Sequence, residues 1–264
     1  MSGLVRSEIR DGTALITLDR PESRNALSGD EMCDALVSAL REIGSMDSVR
    51  VAILTGAGSA FSAGGDLARL SRSADVGASE PSRLVAYYRN GIQRIPEAIQ
   101  AFPLPLIAAV NGPAVGAGCD LACMCDIRIA ARSARFAESF VKLGIVAGDG
   151  GAWFLPRVAG RSKAFEMALT GDTMDAAEAL SCGLVSRVVD DEILLPTAFD
   201  LAGRIAANPP FAVRMTKLLM REAEHNSLGS VLQLSAALQA LAHSTPEHRE
   251  ALDRLMAGVT GTKK

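Results

Sequence analysis

Residues 103–129 read PLPLIAAVNGPAVGAGCDLACMCDIRI. Leu106–Val110 is a short apolar run and predicts a buried β-strand. The strand ends at Asn111-Gly112-Pro113, because Pro113 has no backbone N–H and Gly112 tolerates turn dihedrals. Residues 119–125 are apolar enough to form a buried helix. The stretch therefore predicts a strand, a glycine-rich turn and a helix in direct succession.

The start of this predicted helix has the properties of an anion-binding site. Around Gly116-Ala117-Gly118, several backbone N–H groups lack an intrahelical partner and lie at the positive end of the helix dipole. Such donors suit an oxygen that gains negative charge during a reaction. Asp120 follows Ala117 by three residues, so its carboxylate projects from about the same side of the helix. Either Asp120 takes part in chemistry, or it is a satisfied acid in a tightly packed core; the stretch alone leaves both open.

Composition limits the classes of function. The chain has 264 residues, of which 48% are hydrophobic and 22% charged, as in an ordinary soluble globular protein. Its net charge of −3 and pI near 5.7 argue against nucleic acid or an anionic membrane as the main partner. No apolar run reaches membrane-spanning length and Met1–Arg10 lacks a signal-peptide core, so we expect a cytoplasmic protein.

Cysteine and histidine placement argues against metal and nucleophilic chemistry. The five cysteines are an odd number without a secretion signal, which predicts unpaired thiols. Their spacing, with no histidine nearby, completes no metal-ligand set, so no metal is expected. All three histidines lie at position 225 or later. General acid–base work is therefore expected from carboxylates.

The rest of the chain predicts alternating strands and helices, and hence βαβ units with a mainly parallel sheet. Asp11-Gly12 predicts the turn of a β-hairpin, and Ser28 predicts a helix cap. The other elements predicted before residue 162 are strands at 4–9, 13–18, 51–54 and 127–131, an extended piece at 134–137, and helices at 29–43 and 84–102. Beyond it the chain is predicted to be largely helical, with a strand at 184–189 and helices near 211–224, 227–242 and 246–256.

Two more glycine-rich loops, Thr55–Asp66 and Gly144–Gly151, indicate places where the backbone comes close to a ligand. Asp149 in the second loop either takes part in chemistry or caps the following helix. Trp153 beside it is either a pocket wall or a core residue. The small, polar segment 67–81 is predicted to be mobile.

Five stretches occur in an order that resembles one family. They are Arg20-Pro21-x3-Asn25-Ala26-Leu27, Ala60–Leu67, Pro105–Ile127, Gly150-Gly151-x3-Leu155-Pro156-Arg157, and Ala176-x2-Ala179-x3-Gly183-Leu184-Val185. Over nearly its whole length the chain resembles the crotonase, or enoyl-CoA hydratase/isomerase, superfamily. The resemblance implies an α/β fold, a spiral of ββα units in two near-perpendicular sheets, followed by a C-terminal helical trimerisation region. It implies a core for acyl-CoA binding and catalysis at residues 1–195, a helical oligomerisation region at 196–264, and a homotrimer or dimer of trimers.

The resemblance also assigns site residues. The two oxyanion-hole N–H donors fall on Gly65 and Ala117, where they would hold the thioester oxygen of an acyl-CoA and stabilise an enolate. The implied substrate-binding residues are Arg24, Ala26, Ala63, Asp66, Leu67, Gly116, Phe140 and Trp153. Among them Arg24 would lie near a CoA phosphate, and the carbonyls of Ala26 and Ala63 near the adenine and the pantetheine. Coenzyme A is then part of the substrate, and no separate cofactor is expected.

The carboxylates depart from the hydratase pattern, which uses two glutamates to hold and activate a water. The first glutamate falls on Asp120, but the second falls on Phe140, which cannot transfer a proton. Glu138, two residues earlier, is predicted to point to the other side if the segment is extended. Asp149 lies one position beyond a catalytic aspartate of some isomerases in the superfamily.

The resemblance implies an enzyme of acyl-CoA metabolism, with enoyl-CoA hydratase activity in fatty-acid or related acyl-CoA catabolism as the first assignment. A double-bond isomerase that uses a single carboxylate, Asp120 or Asp149, fits the residues at least as well. Dehalogenation or thioester hydrolysis through an aspartate nucleophile is a weaker option. The alternative from another class is a CoA-binding homologue without turnover.

Overall fold

The computed structural model describes residues 3–27, 29–66, 71 and 79–261. The predicted hairpin is present, with β1 (Val5–Arg10) and β2 (Thr13–Leu18) paired antiparallel. Asp11 and Gly12 form its turn with φ values of 47° and 74°, the left-handed conformations that such turns require. Ser28, the predicted cap, and most of the segment predicted to be mobile lie outside the described residues.

A six-stranded sheet contains this hairpin. Its other strands are β3 (Val51–Gly56), β4 (Leu106–Val110), β6 (Ile127–Ala131) and β9 (Arg187–Val189), and the strand order is β1-β2-β3-β4-β6-β9. Every neighbouring pair from β2 onward is parallel, which confirms the predicted mainly parallel sheet. Strands β2, β3 and β4 are buried along their whole length, as expected for a parallel sheet covered on both faces.

A second, three-stranded sheet consists of β5 (Pro113–Val115), β7 (Arg135–Ala137) and β8 (Thr173–Asp175), in that order. The chain runs from β4 directly into β5, and from β6 directly into β7. A strand of the large sheet is thus followed by a strand of the small one, which is the repeating ββα pattern that the resemblance implies. The sequence did not predict β8, in which Met174 is the one buried residue.

The α-helices of the described residues are α1 (Asp30–Gly44), α2 (Pro81–Asn90), α3 (Arg94–Ala101), α4 (Ala117–Met124), α5 (Gly151–Ala159), α6 (Arg161–Thr170), α7 (Ala176–Ser181), α8 (Leu194–Ala206), α9 (Pro210–Glu222), α10 (Leu228–His243) and α11 (Pro246–Gly261). The single helix predicted at 84–102 is wrong. Gly91 interrupts it with φ −107° and ψ −109°, and α3 begins anew. Pro96 is tolerated because it lies in the first turn of α3, where backbone N–H groups have no intrahelical partner.

Helix α8 covers the outer face of the large sheet. Its buried residues Leu194, Ala198 and Ala202 pack with Ile53 of β3 and Ile107 of β4 in one apolar cluster. The opposite face of the sheet contacts the larger cluster, which includes α1, α3 and α4. The division at 195/196 falls inside α8 and stays a prediction.

The C-terminal helices are attached to the core by a partly buried ionic network. Asp126 lies 2.7 Å from Lys217 Nζ and 2.9 Å from Arg221 Nη2. Burial lowers the pKa of Lys217 to about 8, although the charge of Asp126 opposes this. Helices α9, α10 and α11 form where the sequence predicts them. Among the described residues, no helix has both the length and the apolar character needed to cross a bilayer.

Candidate active site

A cavity of about 380 Å³ lies between helix α2 and the loops that follow β3, β5 and β7. The glycine-rich loops predicted to approach a ligand contribute much of its wall. The lining residues from these loops are Ala63, Gly64, Gly65, Gly116, Ala117, Ile145, Val146, Gly148 and Asp149, and Phe140 lines the cavity beside them. Three site residues predicted apart in the sequence, Gly65, Ala117 and Asp149, therefore meet at one cavity.

Close backbone packing holds the loops after β3 and β5 together. Ser62 and Val115 are joined by a hydrogen bond from the Val115 N–H to the Ser62 carbonyl, at 3.0 Å. Gly64 has φ +76°, and a Cβ there would overlap the Val115 carbonyl oxygen. A Cβ on Gly118 would likewise overlap the Ser62 carbonyl oxygen. Both positions require glycine, and together they place residues 65 and 117 beside each other.

The backbone N–H groups of Gly65 and Ala117 are available to a ligand. Ala117 is the first residue of α4, so its N–H has no partner within the helix. Within the described part of the chain, neither N–H donates a hydrogen bond to another group. Gly116 makes the turn before the helix with φ 54° and ψ −122°, a conformation open to glycine. The geometry suits an oxyanion hole at the positive end of the α4 dipole.

The loop after β2 lies against the loop after β3. Asn25 is buried with φ 57°, and its amide donates to the carbonyls of Ala57 and Ala60 at 2.9 and 2.8 Å. The Arg24 carbonyl accepts a hydrogen bond from the Ala63 N–H. Asn25 thus positions the loop after β3. From the sequence it was recognised only as part of a motif, without a role of its own. A non-glycine residue that combines burial with a left-handed φ cannot be identified from sequence.

The predicted CoA-binding residues lie on these joined loops. The Arg24 side chain is exposed. Within the described residues, the carbonyl oxygens of Ala26 and Ala63 accept no hydrogen bond from the protein. Asp66 is half-buried beyond the cavity wall, and Leu67 lies outside the described residues. Their roles toward CoA stay predictions.

Trp153 is neither a wall of the cavity nor a core residue, which corrects both interpretations of it. Its side chain is 42% exposed. The Arg157 guanidinium lies 3.4 Å from its ring centroid, and the His225 ring is 5.1 Å away. The tryptophan sits on the outer side of α5, where it connects that helix to the C-terminal region.

Asp149 lines the cavity and is 3% exposed. It does not cap the helix that follows. Gly150 is the N-cap of α5, with φ 112°, and no side-chain hydrogen bond caps this helix. Of the two interpretations left open by the sequence, the structure therefore rejects the cap.

Asp120 lies behind Asp149, away from the cavity. It is fully buried on α4, and its carboxylate packs against the backbone of Gly151, where a Cβ would overlap both oxygens. Neither Asp120 oxygen accepts a hydrogen bond from an N–H or O–H donor among the described residues. Asp120 is therefore not the satisfied core acid of the alternative interpretation.

Glu138 also belongs to this cluster. It points to a different side from the cavity that Phe140 lines, as predicted, but not for the predicted reason. On an extended segment, residues two apart would share one face. The chain does not remain extended beyond β7, because a 3₁₀ helix begins at Ser139. Glu138 is 2% exposed and its carboxylate lies within hydrogen-bonding reach of Asp120. Phe140 faces the cavity instead, with its ring against Gly116.

The three buried carboxyls shift one another's pKa values. Burial raises the pKa of Asp120 well above its usual range, and the charges of Asp149 and Glu138 raise it further. Burial raises the pKa of Glu138 to about 7, although hydrogen bonds with Asp120 and the Cys119 thiol oppose this. Burial also raises the pKa of Asp149, against the lowering effect of its hydrogen bond with Asp120. Three adjoining buried carboxyls cannot all ionise, so the cluster retains a proton near neutral pH.

This cluster should destabilise the fold above acidic pH. Well below pH 3.8, Asp120 is protonated in the folded and unfolded chains alike. As pH rises, Asp120 ionises first in the unfolded chain, which lowers the free energy of the unfolded state relative to the folded one. We expect Asp120→Asn to raise the free energy of unfolding by about 1–2 kcal/mol at pH 8 and by less at pH 5. Urea unfolding at both pH values measures this. The exposed variant Asp190→Asn is the control, and an equal gain for Asp120→Asn at both pH values would contradict the expectation.

None of the five cysteines forms a disulfide. Among the residues that the structure describes, no three His, Cys, Asp or Glu side chains are arranged to hold a metal ion.

Comparison with known proteins agrees with this geometry. The family described as "Enoyl-CoA hydratase/isomerase" matches residues 8–256. The chain is 38% identical over 260 residues to 1,2-epoxyphenylacetyl-CoA isomerase of Escherichia coli, covering 97% of each chain. It is 35% identical over 246 residues to crotonyl-CoA hydratase of Syntrophomonas wolfei, covering 93% of this chain and 92% of the other. The crystal structure of an enoyl-CoA hydratase from Bacillus anthracis superposes with a TM-score of 0.88 at 32% identity, over 97% of this chain and 96% of that one.

Proposed function

Since this chain belongs to the enoyl-CoA hydratase/isomerase family, we propose that it is an acyl-CoA isomerase whose single working carboxylate is Asp149. In this proposal the thioester oxygen binds the N–H groups of Gly65 and Ala117. Asp149 moves a proton between two carbons of the acyl group while the oxyanion hole stabilises the enolate.

One observation carries the choice of isomerisation over hydration. Among the described residues that line the cavity, Asp149 is the only carboxylate. Hydration in the family pattern takes two carboxylates on one water, and Phe140 stands at the second position. A proton shuttle between carbons requires one base that later acts as an acid. The cavity also includes Lys142, but that ammonium pairs with Asp172 at 3.0 Å.

The steps can be written for a 3-enoyl-CoA. The Asp149 carboxylate removes a proton from the carbon next to the thioester, and the electron pair moves into a dienolate whose charge rests on the thioester oxygen. Asp149 then returns the proton to the fourth carbon, which leaves the double bond conjugated with the thioester. A pKa raised by burial makes Asp149 a stronger base for the first step and leaves it able to donate in the second.

The test compares two substrates with the same protein. With 3-hexenoyl-CoA, we expect the conjugated enoyl-thioester absorbance to appear. With crotonyl-CoA, hydration would remove that absorbance, and we expect slow loss or none. Prompt loss from crotonyl-CoA without conversion of 3-hexenoyl-CoA would overturn the isomerase proposal in favour of a hydratase. Tight binding of CoA esters without either change would indicate a CoA-binding homologue without turnover.

The identity of residue 140 gives a second test. Phe140→Glu restores a carboxylate at the position where hydratases have their second glutamate, and its side chain faces the cavity. We expect crotonyl-CoA hydration to rise at least about tenfold over the parent, within the range of general acid–base contributions. Phe140→Gln is the matched control, because it has nearly the same shape as glutamate and cannot transfer a proton. Equal hydration by both variants would show that residue 140 does not determine the reaction.

We also propose a homotrimer or dimer of trimers, built on the C-terminal helices. These helices expose large apolar side chains that a single chain leaves uncovered: Met220, Leu228, Leu232, Leu241 and Leu255. Exposed apolar patches of this kind are typical of subunit contacts. Sedimentation of the purified protein should give three or six times the mass of the chain, and a monomer would contradict this assembly.

A further inference from the structure

The acid cluster contains two members that the proposed reaction has not used, Asp120 and Glu138. Asp120 comes from α4, Asp149 from the loop before α5, and Glu138 from the residue before the 3₁₀ helix. Both Asp120 oxygens, Oε1 of Glu138 and Oδ1 of Asp149 are buried and accept no hydrogen bond from a protein donor in the described part of the chain. A proton on one of the carboxyls would allow it to donate a hydrogen bond to its neighbours. Three independent segments thus bring their acids to one enclosed point.

Glu138 does not face the acyl-CoA cavity. It lines a second cavity of about 340 Å³, which is otherwise apolar. The side chains of Phe140, Ile145 and Val146 belong to the walls of both cavities and separate them. Asp120 is within hydrogen-bonding reach of both Glu138 and Asp149, so hydrogen bonds connect Glu138 to the cavity-lining carboxylate through Asp120. The role of Glu138 toward the substrate must be indirect.

No cationic side chain among the described residues balances the negative charge of the cluster, so a bound proton must reduce that charge. Besides one another, the three carboxyls interact electrostatically with two other titratable groups in the part of the chain that the structure describes. These are the Cys119 thiol, which contacts Cys123, and the Tyr88 phenol on the cavity side. Among the described residues, no lysine, arginine or histidine acts on them. Asp120, the central and fully enclosed member, is the natural position for the shared proton.

We propose that Glu138 is a positioning residue that competes with Asp149, through Asp120, for the shared proton. When the Asp120 hydroxyl donates to Glu138, Asp149 has no donor and is the stronger base. When it donates to Asp149, that carboxylate is stabilised and its basicity falls. The proton stays within the cluster in both arrangements. The inference deepens the proposed function, since it rests on Asp149 as the base.

Glu138→Gln tests the competition. Glutamine keeps the shape of the side chain but removes its charge, so the Asp120 proton turns to Asp149. In the 3-hexenoyl-CoA reaction we expect the acid limb of kcat/KM to move about one pH unit lower, and kcat to fall roughly tenfold, because a weaker base removes the substrate proton more slowly. Glu138→Asp, which retains a carboxylate, should restore part of the parent profile. A fall in kcat with an unmoved pH profile would assign Glu138 a merely structural role and overturn the proposal.

A measurement without turnover separates this inference from the proposed function. Infrared spectroscopy of the substrate-free protein counts protonated carboxyls as a function of pH. We expect a carboxyl band that persists near pH 7, loses intensity in Asp120→Asn, and titrates at lower pH in Glu138→Gln than in the parent. The exposed variant Asp190→Asn should leave that band unchanged. If the band is absent, or titrates identically in Glu138→Gln, the shared proton is disproved even where the isomerase assay succeeds; if the band behaves as expected but no enoyl-CoA reacts, only the proposed function fails.

Discussion

Asp149→Asn is expected to lower kcat for 3-enoyl-CoA isomerisation about a thousandfold, with KM within a few fold of the parent value. The asparagine amide has the shape of the carboxylate but cannot take up or return a proton, and general acid–base groups contribute 10²- to 10⁴-fold. No other carboxylate among the described residues lines the cavity to replace it. Binding should persist, because the oxyanion donors and the loops after β2 and β3 are unchanged.

Steady-state kinetics of Asp149→Asn beside Asp120→Asn measures this effect. Asp120 lies behind Asp149 and outside the cavity wall. Asp120→Asn should therefore lower kcat less than Asp149→Asn does. In the parent, kcat/KM should fall as pH decreases through the raised pKa of Asp149, because the base must be ionised in the free enzyme. A fully active Asp149→Asn together with an inactive Asp120→Asn would reverse the two roles.

The large sheet could be predicted from sequence because its strands carry their own signals. Leu106–Val110 and Ile127–Ala131 are continuous apolar runs bounded by turn residues, and Asp11-Gly12 specifies a hairpin. The strands of the small sheet are three residues each, too short for periodicity to be recognised. Of the three, only β7 was anticipated, as an extended piece at 134–137. Their pairing depends on where the preceding strands of the large sheet end. The resemblance to a family, not the pattern, supplied the ββα spiral.

The candidate site, too, could be predicted only in part from the sequence. Glycines at 65, 116 and 118 signalled close backbone approach, and family resemblance assigned the donors. The acid cluster could not be predicted, because the direction of Glu138 depends on a 3₁₀ turn at Ser139 that follows a strand without any glycine or proline to announce it. Asp149 likewise does not cap α5, because the helix begins at Gly151 and the cap position falls on Gly150. These are properties of backbone dihedrals that spacing does not encode.

The oxyanion donors give the second large effect, and the chain offers a direct way to remove one. Ala117 is the first residue of α4, the helix position at which proline is best tolerated, because the N–H lost there has no intrahelical partner. Ala117→Pro should therefore delete one donor and leave the helix in place. The proline ring also occupies the space in front of the missing N–H, which acts in the same direction.

We expect Ala117→Pro to reduce kcat/KM for isomerisation by about 10²- to 10³-fold, the usual cost of losing one oxyanion donor, while the melting temperature changes by only a few degrees. Ala117→Gly is the matched control, since it keeps the N–H and should retain activity within a few fold. Calorimetric titration with free coenzyme A, which has no thioester oxygen, should give similar affinities for all three proteins. If Ala117→Pro folds, binds coenzyme A and still isomerises 3-hexenoyl-CoA at the parent rate, the enolate oxygen is held elsewhere and Gly116-Ala117-Gly118 serves packing alone.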